Sequence, residues 1–167
     1  AWPATGPMHN MSLAAWLAHI PGLQVVCPAP QACAKGLLTA AINDPDPVNV
    51  LETASLYEPV APVPDADAYT VPIGKARVAH EGHDVTVVTY GSGVATGIAA
   101  AALAAQSNVS VEGIDLRSLR PRDVPAIMAS VTKTGRLLTL DDDWTQGGSG
   151  AEVCTLATTA AFSSLKC

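Results

Sequence analysis

The residues best placed to do chemistry lie in two glycine turns. The first sits in VTVVTYGSGVATGIAAAALAA, residues 85–105, where a β-branched run meets Gly91, Gly93 and Gly97 and an alanine-rich stretch follows. Asp115 ends the next apolar run, VSVEGIDL. Strand, tight glycine turn, helix N-terminus and a downstream acid are the parts of a dinucleotide site. The spacing here is G-x-G-x-x-x-G, and the extra residue rotates the third glycine by about 100° off the face that must close on the strand. Asp115 can contact a ribose, pair with Arg117 or Arg120, or cap a turn. The turn predicts an α/β layer and leaves the nucleotide open.

The second turn, LDDDWTQGGSGAE, places Asp141, Asp142 and Asp143 at a strand end and Gly147, Gly148 and Gly150 at a helix start. Backbone N–H groups at such a start can hold an anion, but three neighbouring carboxylates repel a phosphate. The acids are either divalent-metal ligands or a solvated turn, and consecutive acids in a turn are more often solvated. Cys27, Cys33, Cys154 and Cys167 form no C-x-x-C pair and have no histidine at ligand spacing. They read as reduced core thiols of a cytosolic or matrix protein. Of the four histidines, His19, His80 and His83 are expected to face solvent, and His9 lies in a Pro/Gly-containing loop.

The elements that must position these residues follow from periodicity and punctuation. Ser12 is expected to cap a short helix over LAAWLAHI, stopped by Pro21. A strand over 23–27, a helix over 31–42 and a strand over 48–52 come next, with NDPDP breaking the helix. From Pro59 to Pro72 the segment PVAPVPDADAYTVP can neither keep helical hydrogen bonds nor bury much, so it reads as a linker. A second run predicts a strand at 85–90, a helix at 94–106, a strand at 109–116 and a helix at 121–132 with Arg122 and Asp123 in its first turn. A strand at 136–141 and a final helix after the glycine loop complete it. Strands alternating with helices imply a parallel sheet covered on both faces.

The 167 residues are 49% hydrophobic and 14% charged, which suits a well-buried core, and with 4% aromatics that core must be filled by Ala, Val and Leu. A net charge of −6 with nine scattered Lys and Arg argues against a nucleic-acid surface. The longest apolar stretch, 94–105, is too short and alanine-rich to span a bilayer, and no secretory pattern opens the chain. AWPATGPMHN reads as an entry into the middle of a longer protein.

Several segments together resemble one family: PGLQVVCPAPQACAKGLLTAAINDPDPVNVLE, YTVPIGKARVAHEGHDVTVVTYG, IDLRSLRPRD and SVTKTGRLLTLDDDWTQGGSGAE. From about Gly6 to Leu165 the chain is similar to the β subunit of the E1 component of 2-oxo acid dehydrogenase complexes, pyruvate dehydrogenase type. It more distantly resembles the second half of transketolase-like enzymes. The resemblance implies an α/β fold, with parallel sheets carrying helices on both faces. Residues 1–58 would be the later part of a pyrimidine-binding domain, 59–72 a linker, and 73–167 a Rossmann-type, transketolase C-terminal-like domain that stops early and holds no dinucleotide.

The activity implied is oxidative decarboxylation of a 2-oxo acid with thiamine diphosphate and Mg²⁺, then acyl transfer to lipoyl groups of E2. The implied partners are an E1 α subunit, the E2 acyltransferase and a second β subunit. The implied compartment is bacterial cytoplasm or mitochondrial matrix. The glutamate that readies the aminopyrimidine lies upstream of the matching segments in that family, and the α subunit holds the diphosphate and its Mg²⁺. The isolated chain is therefore expected to be inactive, and no cofactor-binding residue is assigned to it.

Two sets of site residues carry over. Met8-His9-Asn10-Met11 stands where the family has Gln-His-Ser-Gln, so His9 is the expected catalytic residue, able to transfer a proton or hydrogen-bond an acyl group. Ala41, Ile42, Asp44 and Asp46 match a turn that binds K⁺, where a helix C-terminus offers unpaired carbonyls. The same Asp-Pro-Asp-Pro run equally well just ends the helix. The loop with Trp144 is expected to serve packing and subunit contact. A non-catalytic assembly or regulatory module on the same scaffold remains the alternative, with a nicotinamide-dependent oxidoreductase as the third reading.

Overall fold

The computed structural model of the chain describes Gly6 and residues 9–166. Its first layer is built around β1 (Gln24–Val26) and β2 (Val48–Val50), which pair in parallel with Gln24 opposite Val48. Parallel neighbours need a crossover, and α2 (Gln31–Asn43) supplies it. Pro28 and Pro30 close the strand and Pro30 leads into the helix; Asp44, extended at φ −79° and ψ 135° before Pro45, ends it. Alternation along β1 sends Val25 and Cys27 to one side and Val26 to the other. The helix before β1 is short: α1 covers Ala14–Ala18, and Leu13 stands at its N-cap without a side-chain bond. Ser12, expected to cap it, donates its hydroxyl to Asp143 Oδ1 instead.

The proline segment runs as a strap along α2. Gln31 Nε2 donates to the Pro59 carbonyl (2.6 Å) and Lys35 Nζ to the Pro64 carbonyl (2.8 Å). Residues 58–68 are exposed, but Val71 is buried against Val26, Cys33 and Leu37. Its N–H donates to the Gly36 carbonyl at 3.0 Å. A Cβ on Gly36 would lie 2.5 Å from Val71 Cγ2, so only glycine lets the strap approach. The expectation that this segment buries little therefore fails at its end.

The second layer has the strand order β3 (Arg77–His80), β5 (Val111–Asp115), β4 (Val85–Thr89), β7 (Leu137–Leu140). β4 is parallel to both β5 and β7, joined through α3 (Gly93–Ala105) and α4 (Val124–Thr134), and α5 (Ser149–Ala160) follows β7. Two strands absent from the sequence reading, β3 and β6 (Ser118–Arg120), run antiparallel to β5 and β1 respectively. Both sheets are therefore mixed, within the α/β class. The reversal into β6 occurs at Arg117, φ 55°, whose N–H is accepted by Asp115 Oδ1 at 3.1 Å. A short acid accepting from the backbone two residues on is a turn device.

Helix α4 begins later than expected, so Arg122 and Asp123 stand before its first turn. Asp123 is the N-cap, its Oδ1 accepting from the Ala126 N–H at 3.3 Å, while the buried Arg122 pairs with Glu152 at 2.8 Å. One core spans both layers: Val25, Cys27 and Leu119 of the first pack with Val88, Ile114, Ile127 and Val131 of the second. Among the described residues, no helix is long and apolar enough to cross a membrane.

Candidate functional site

Two parallel strand pairs, β1 with β2 and β4 with β7, end at one place. Cys27 follows β1, Leu51 to Ser55 follow β2, Tyr90 to Ser92 follow β4, and Asp142 follows β7; together they line a cavity of about 440 Å³. Ligands of open α/β sheets sit outside the carboxyl ends of strands. The remaining wall is the segment His9 to Ala14. It is a turn closed on Gly6, whose carbonyl accepts from the His9 N–H (3.2 Å) and from Asn10 Nδ2 (2.9 Å). His9 is exposed at the mouth, and the buried Ala14 anchors the segment below it. Met8, the other side of the matched motif, lies outside the described residues.

The wall chemistry is specific. Burial, with Asp143 and Asp115 adding to it, pushes the Cys27 thiol up to about 12, so it is a neutral lining group and no nucleophile. Tyr90 is likewise pushed up, first by burial and then by Asp143, and donates its hydroxyl to Asp143 Oδ2 at 2.8 Å. Glu52 Oε2 accepts from the Tyr57 hydroxyl (2.9 Å) and Asp142 Oδ2 from Ser92 (3.0 Å). Among the described residues, neither Lys nor Arg lines this cavity. Glu52, Tyr90 and Ser92 were not picked out by sequence as site residues, and Asp142 only as one of three candidate metal ligands; reading the first few residues after each parallel strand would have found them.

The three consecutive acids form no metal centre: among the described residues no group of His, Cys, Asp and Glu could hold one. They act as acceptors. Asp141 Oδ1 takes the Asp143 N–H at 3.1 Å, and burial raises the Asp141 carboxyl above its ordinary range against that bond. Asp143 also takes the Ser149 N–H at the start of α5, at 3.4 Å.

The glycine turn is equally structural. A Cβ on Gly93 would overlap Thr89 Oγ1 and lie 3.1 Å from the Leu140 carbonyl, whereas one on Gly97 would meet nothing closer than 3.8 Å. Close packing of α3 thus falls on the second glycine. Asp115 is fully buried and its Oδ2 accepts from Arg77 at 3.2 Å, so it offers nothing to a ribose. Arg77 is its hydrogen-bonded side-chain partner, while Arg117 acts on it through its backbone N–H and its charge. Burial raises the Asp115 carboxyl, and the Arg77 charge opposes that rise.

Ala41, Ile42, Asp44 and Asp46 gather at the end of α2, and none of them lines the cavity. The Ala41 carbonyl accepts from the Asp44 N–H at 3.4 Å, while Asp44 Oδ1 accepts from Gln24 Nε2 (2.8 Å) and the Asp46 N–H (3.0 Å). Ile42 is exposed. His19, His80 and His83 are exposed, as expected. Cys27 and Cys33 are free and buried, but Cys154 is free and exposed, so the expectation of core thiols fails there. Cys167 lies outside the described residues.

Two family models match the chain. The transketolase pyrimidine binding domain matches residues 3–59, and the transketolase C-terminal domain matches residues 74–167. The chain is 47% identical over 154 residues to the pyruvate dehydrogenase E1 component subunit beta of Rhizobium meliloti, covering 92% of this chain and 34% of that protein. It is 46% identical over 149 residues to the mitochondrial subunit beta of Drosophila melanogaster, covering 87% and 41%. A solved split-gene transketolase, an inactive beta4 tetramer, superimposes with a TM-score of 0.78 at 26% identity, covering 88% of this chain and 48% of that one. The chain thus spans between a third and a half of the length of these relatives. With the C-terminal domain alone matching more than half of its residues, the chain belongs to the transketolase family.

Proposed function

We propose that this chain is part of the β subunit of a pyruvate-dehydrogenase-type E1, which oxidatively decarboxylates a 2-oxo acid and passes the acyl group to lipoyl groups of E2. In this reading 1–58 and 73–167 are its two units and 59–72 the link between them. The E1 α subunit, a second β subunit and the E2 acyltransferase are its partners, in bacterial cytoplasm or mitochondrial matrix. The observation that carries the reading is the cleft at the shared strand ends with His9 at its mouth.

Thiamine diphosphate supplies, when bound, the carbanion chemistry this reaction needs. A cleft wall that carries Glu52 and Asp142 and, among the described residues, neither Lys nor Arg does not fit a diphosphate, and this supports its being held by another chain. The residues present fit the reacting side only. There His9 holds or delivers a proton at an imidazole nitrogen, and the half-buried Tyr90 and the buried Cys27 stay neutral beside it. The turn at Ala41, Ile42, Asp44 and Asp46 is the proposed K⁺ site, supported by the helix end and by the Asp44 carboxylate.

The test is CO₂ release from pyruvate with α subunit, thiamine diphosphate and Mg²⁺. A full-length β subunit containing this sequence turns over, and this chain in its place does not. His9→Ala in the full subunit lowers kcat by about a hundredfold or more; an unchanged kcat refutes the role of His9. One observation favours the second reading, a non-catalytic assembly module. Among the described residues the hydrogen bonds of the turn use the His9 backbone and leave its ring unheld. That reading expects no turnover from the full-length subunit either.

A further inference from the structure

Ser12 and Asp143 are 131 positions apart in the chain, yet their side chains meet. Asp143 stands in the turn after β7 and gathers donors from three other elements. Oδ1 accepts from Ser12 Oγ, and Oδ2 from the Tyr90 hydroxyl at 2.8 Å and the Ser149 N–H at 3.4 Å. The turn itself is fixed by the Asp143 N–H donating to Asp141 Oδ1. On the other side, Ser12 gives up the local role of capping α1 to make this contact, and α1 starts without a side-chain cap. His9 lies one turn before Ser12, in a segment whose exposed Asn10 and Met11 bury nothing that would hold it.

We infer that Asp143 is the positioning residue for His9: its carboxylate latches the His9–Ser12 segment, through Ser12, onto the inner wall of the cleft at Tyr90. The contact joins the segment before β1 to the turn after β7, so the cleft keeps one width only while it is made. A bond from a hydroxyl to a carboxylate is among the stronger uncatalysed ties a half-buried surface can offer. The importance of the latch for catalysis rests on the role proposed for His9 above; the latch itself does not.

The experiment is amide hydrogen exchange and histidine NMR on the whole chain, with no cofactor or partner, so its result is independent of the decarboxylation assay. Ser12→Ala and Asp143→Ala each speed exchange at the His9 amide, bonded to the Gly6 carbonyl, and at the Leu17 amide, bonded to the Leu13 carbonyl, by about tenfold, the effect of losing one charge-assisted hydrogen bond. The double variant goes no further than either single one. The His9 C2–H resonance shifts toward that of free histidine in both, and Ser12→Thr, which keeps the hydroxyl, restores it. Amides of Thr86 to Thr89 keep their wild-type rates in Ser12→Ala. If Asp143→Ala misfolds, Ser12→Ala decides alone, since its hydroxyl is bonded only to Asp143 among the described residues. Wild-type exchange and an unmoved His9 resonance in Ser12→Ala, or additive effects in the pair, overturn the inference.

Discussion

The cores beneath α2 and beneath α4 are built on different terms. Under α2 the chain buries Val26, Cys33, Leu37 and Val71, and the strap closes the side. Under α4 it buries Ile127 and Val131 together with Thr86, Ser130 and Thr134, whose hydroxyls meet at Thr86 Oγ1 at 2.8 Å each. All nine buried polar or charged residues among those described follow residue 72. An apolar core accepts small shifts of its helix; a buried hydroxyl chain has one register in which every member is bonded. The half that carries the polar network is therefore the rigid frame. The half that carries His9 is held to it by β6, by the shared core around Val25 and by the latch at Asp143.

This contrast can be broken from its strong end. Ile127→Ala removes the centre of the shared core, where the site is fully buried, and should cost about 4 kcal/mol. Because Val25 and Cys27 belong to the same cluster, urea unfolding followed by tryptophan fluorescence and by circular dichroism should lose both halves in one transition. Two separated transitions would mean that the halves fold apart. Leu37→Ala, equally buried, should cost about 3 kcal/mol, yet with a local signature: faster amide exchange in α2 and at Val71, with β4 unchanged. Thr86→Val takes one hydroxyl partner from Ser130 and one from Thr134, and should cost about 1.5 kcal/mol, all of it in the second half. A cost near zero would show that the hydroxyl chain does not set the register.

How much of this was legible in the sequence divides along the same line. The order β1, α2, β2 and then β4, α3, β5, α4, β7, α5 followed from local signals: β-branched runs, Pro28, Pro30 and Pro45, and Gly91 to Gly93. What escaped was set by distant partners. β6 is three residues long and exists because β1 lies beside it. Ser12 has the side chain of an N-cap, and nothing within reach of its neighbours announces Asp143. Asp115 sits where a ribose acid would, but Arg77 claims it from a strand that the pattern of Arg77 to His80 did not reveal. In the site, His9 came from resemblance to a family and not from its surroundings, while the Tyr90 and Asp142 walls come from a rule of topology that needs the strands placed first.

The mildest of these tests concerns Glu112, buried on β5 within reach of Lys133 on α4. Burial alone would raise its carboxyl. Hydrogen bonds from Lys133 and Ser130, the Lys133 charge and the Gly82 N–H outweigh burial and hold it below the usual 4.5. A folded-state value below the unfolded one means that the unfolded chain binds more protons at mildly acid pH. This group therefore stabilises the fold fully above about pH 5 and loses its contribution as pH falls through the folded value. Lys133→Met removes the opposing cation, and burial then raises the carboxyl above its ordinary range. The sign reverses: the charged carboxylate penalises folding at neutral pH, and protonation relieves it. Lys133 is half exposed, so water screens the pair and the cost at pH 7 should be only about 1 kcal/mol. Urea melts of both proteins from about pH 7 to about pH 3.5 should show the difference shrinking as the acid is protonated. A difference that stays constant with pH would make Lys133 a packing residue and leave the hydroxyls of Thr86, Ser130 and Thr134 as the groups that set the register under α4.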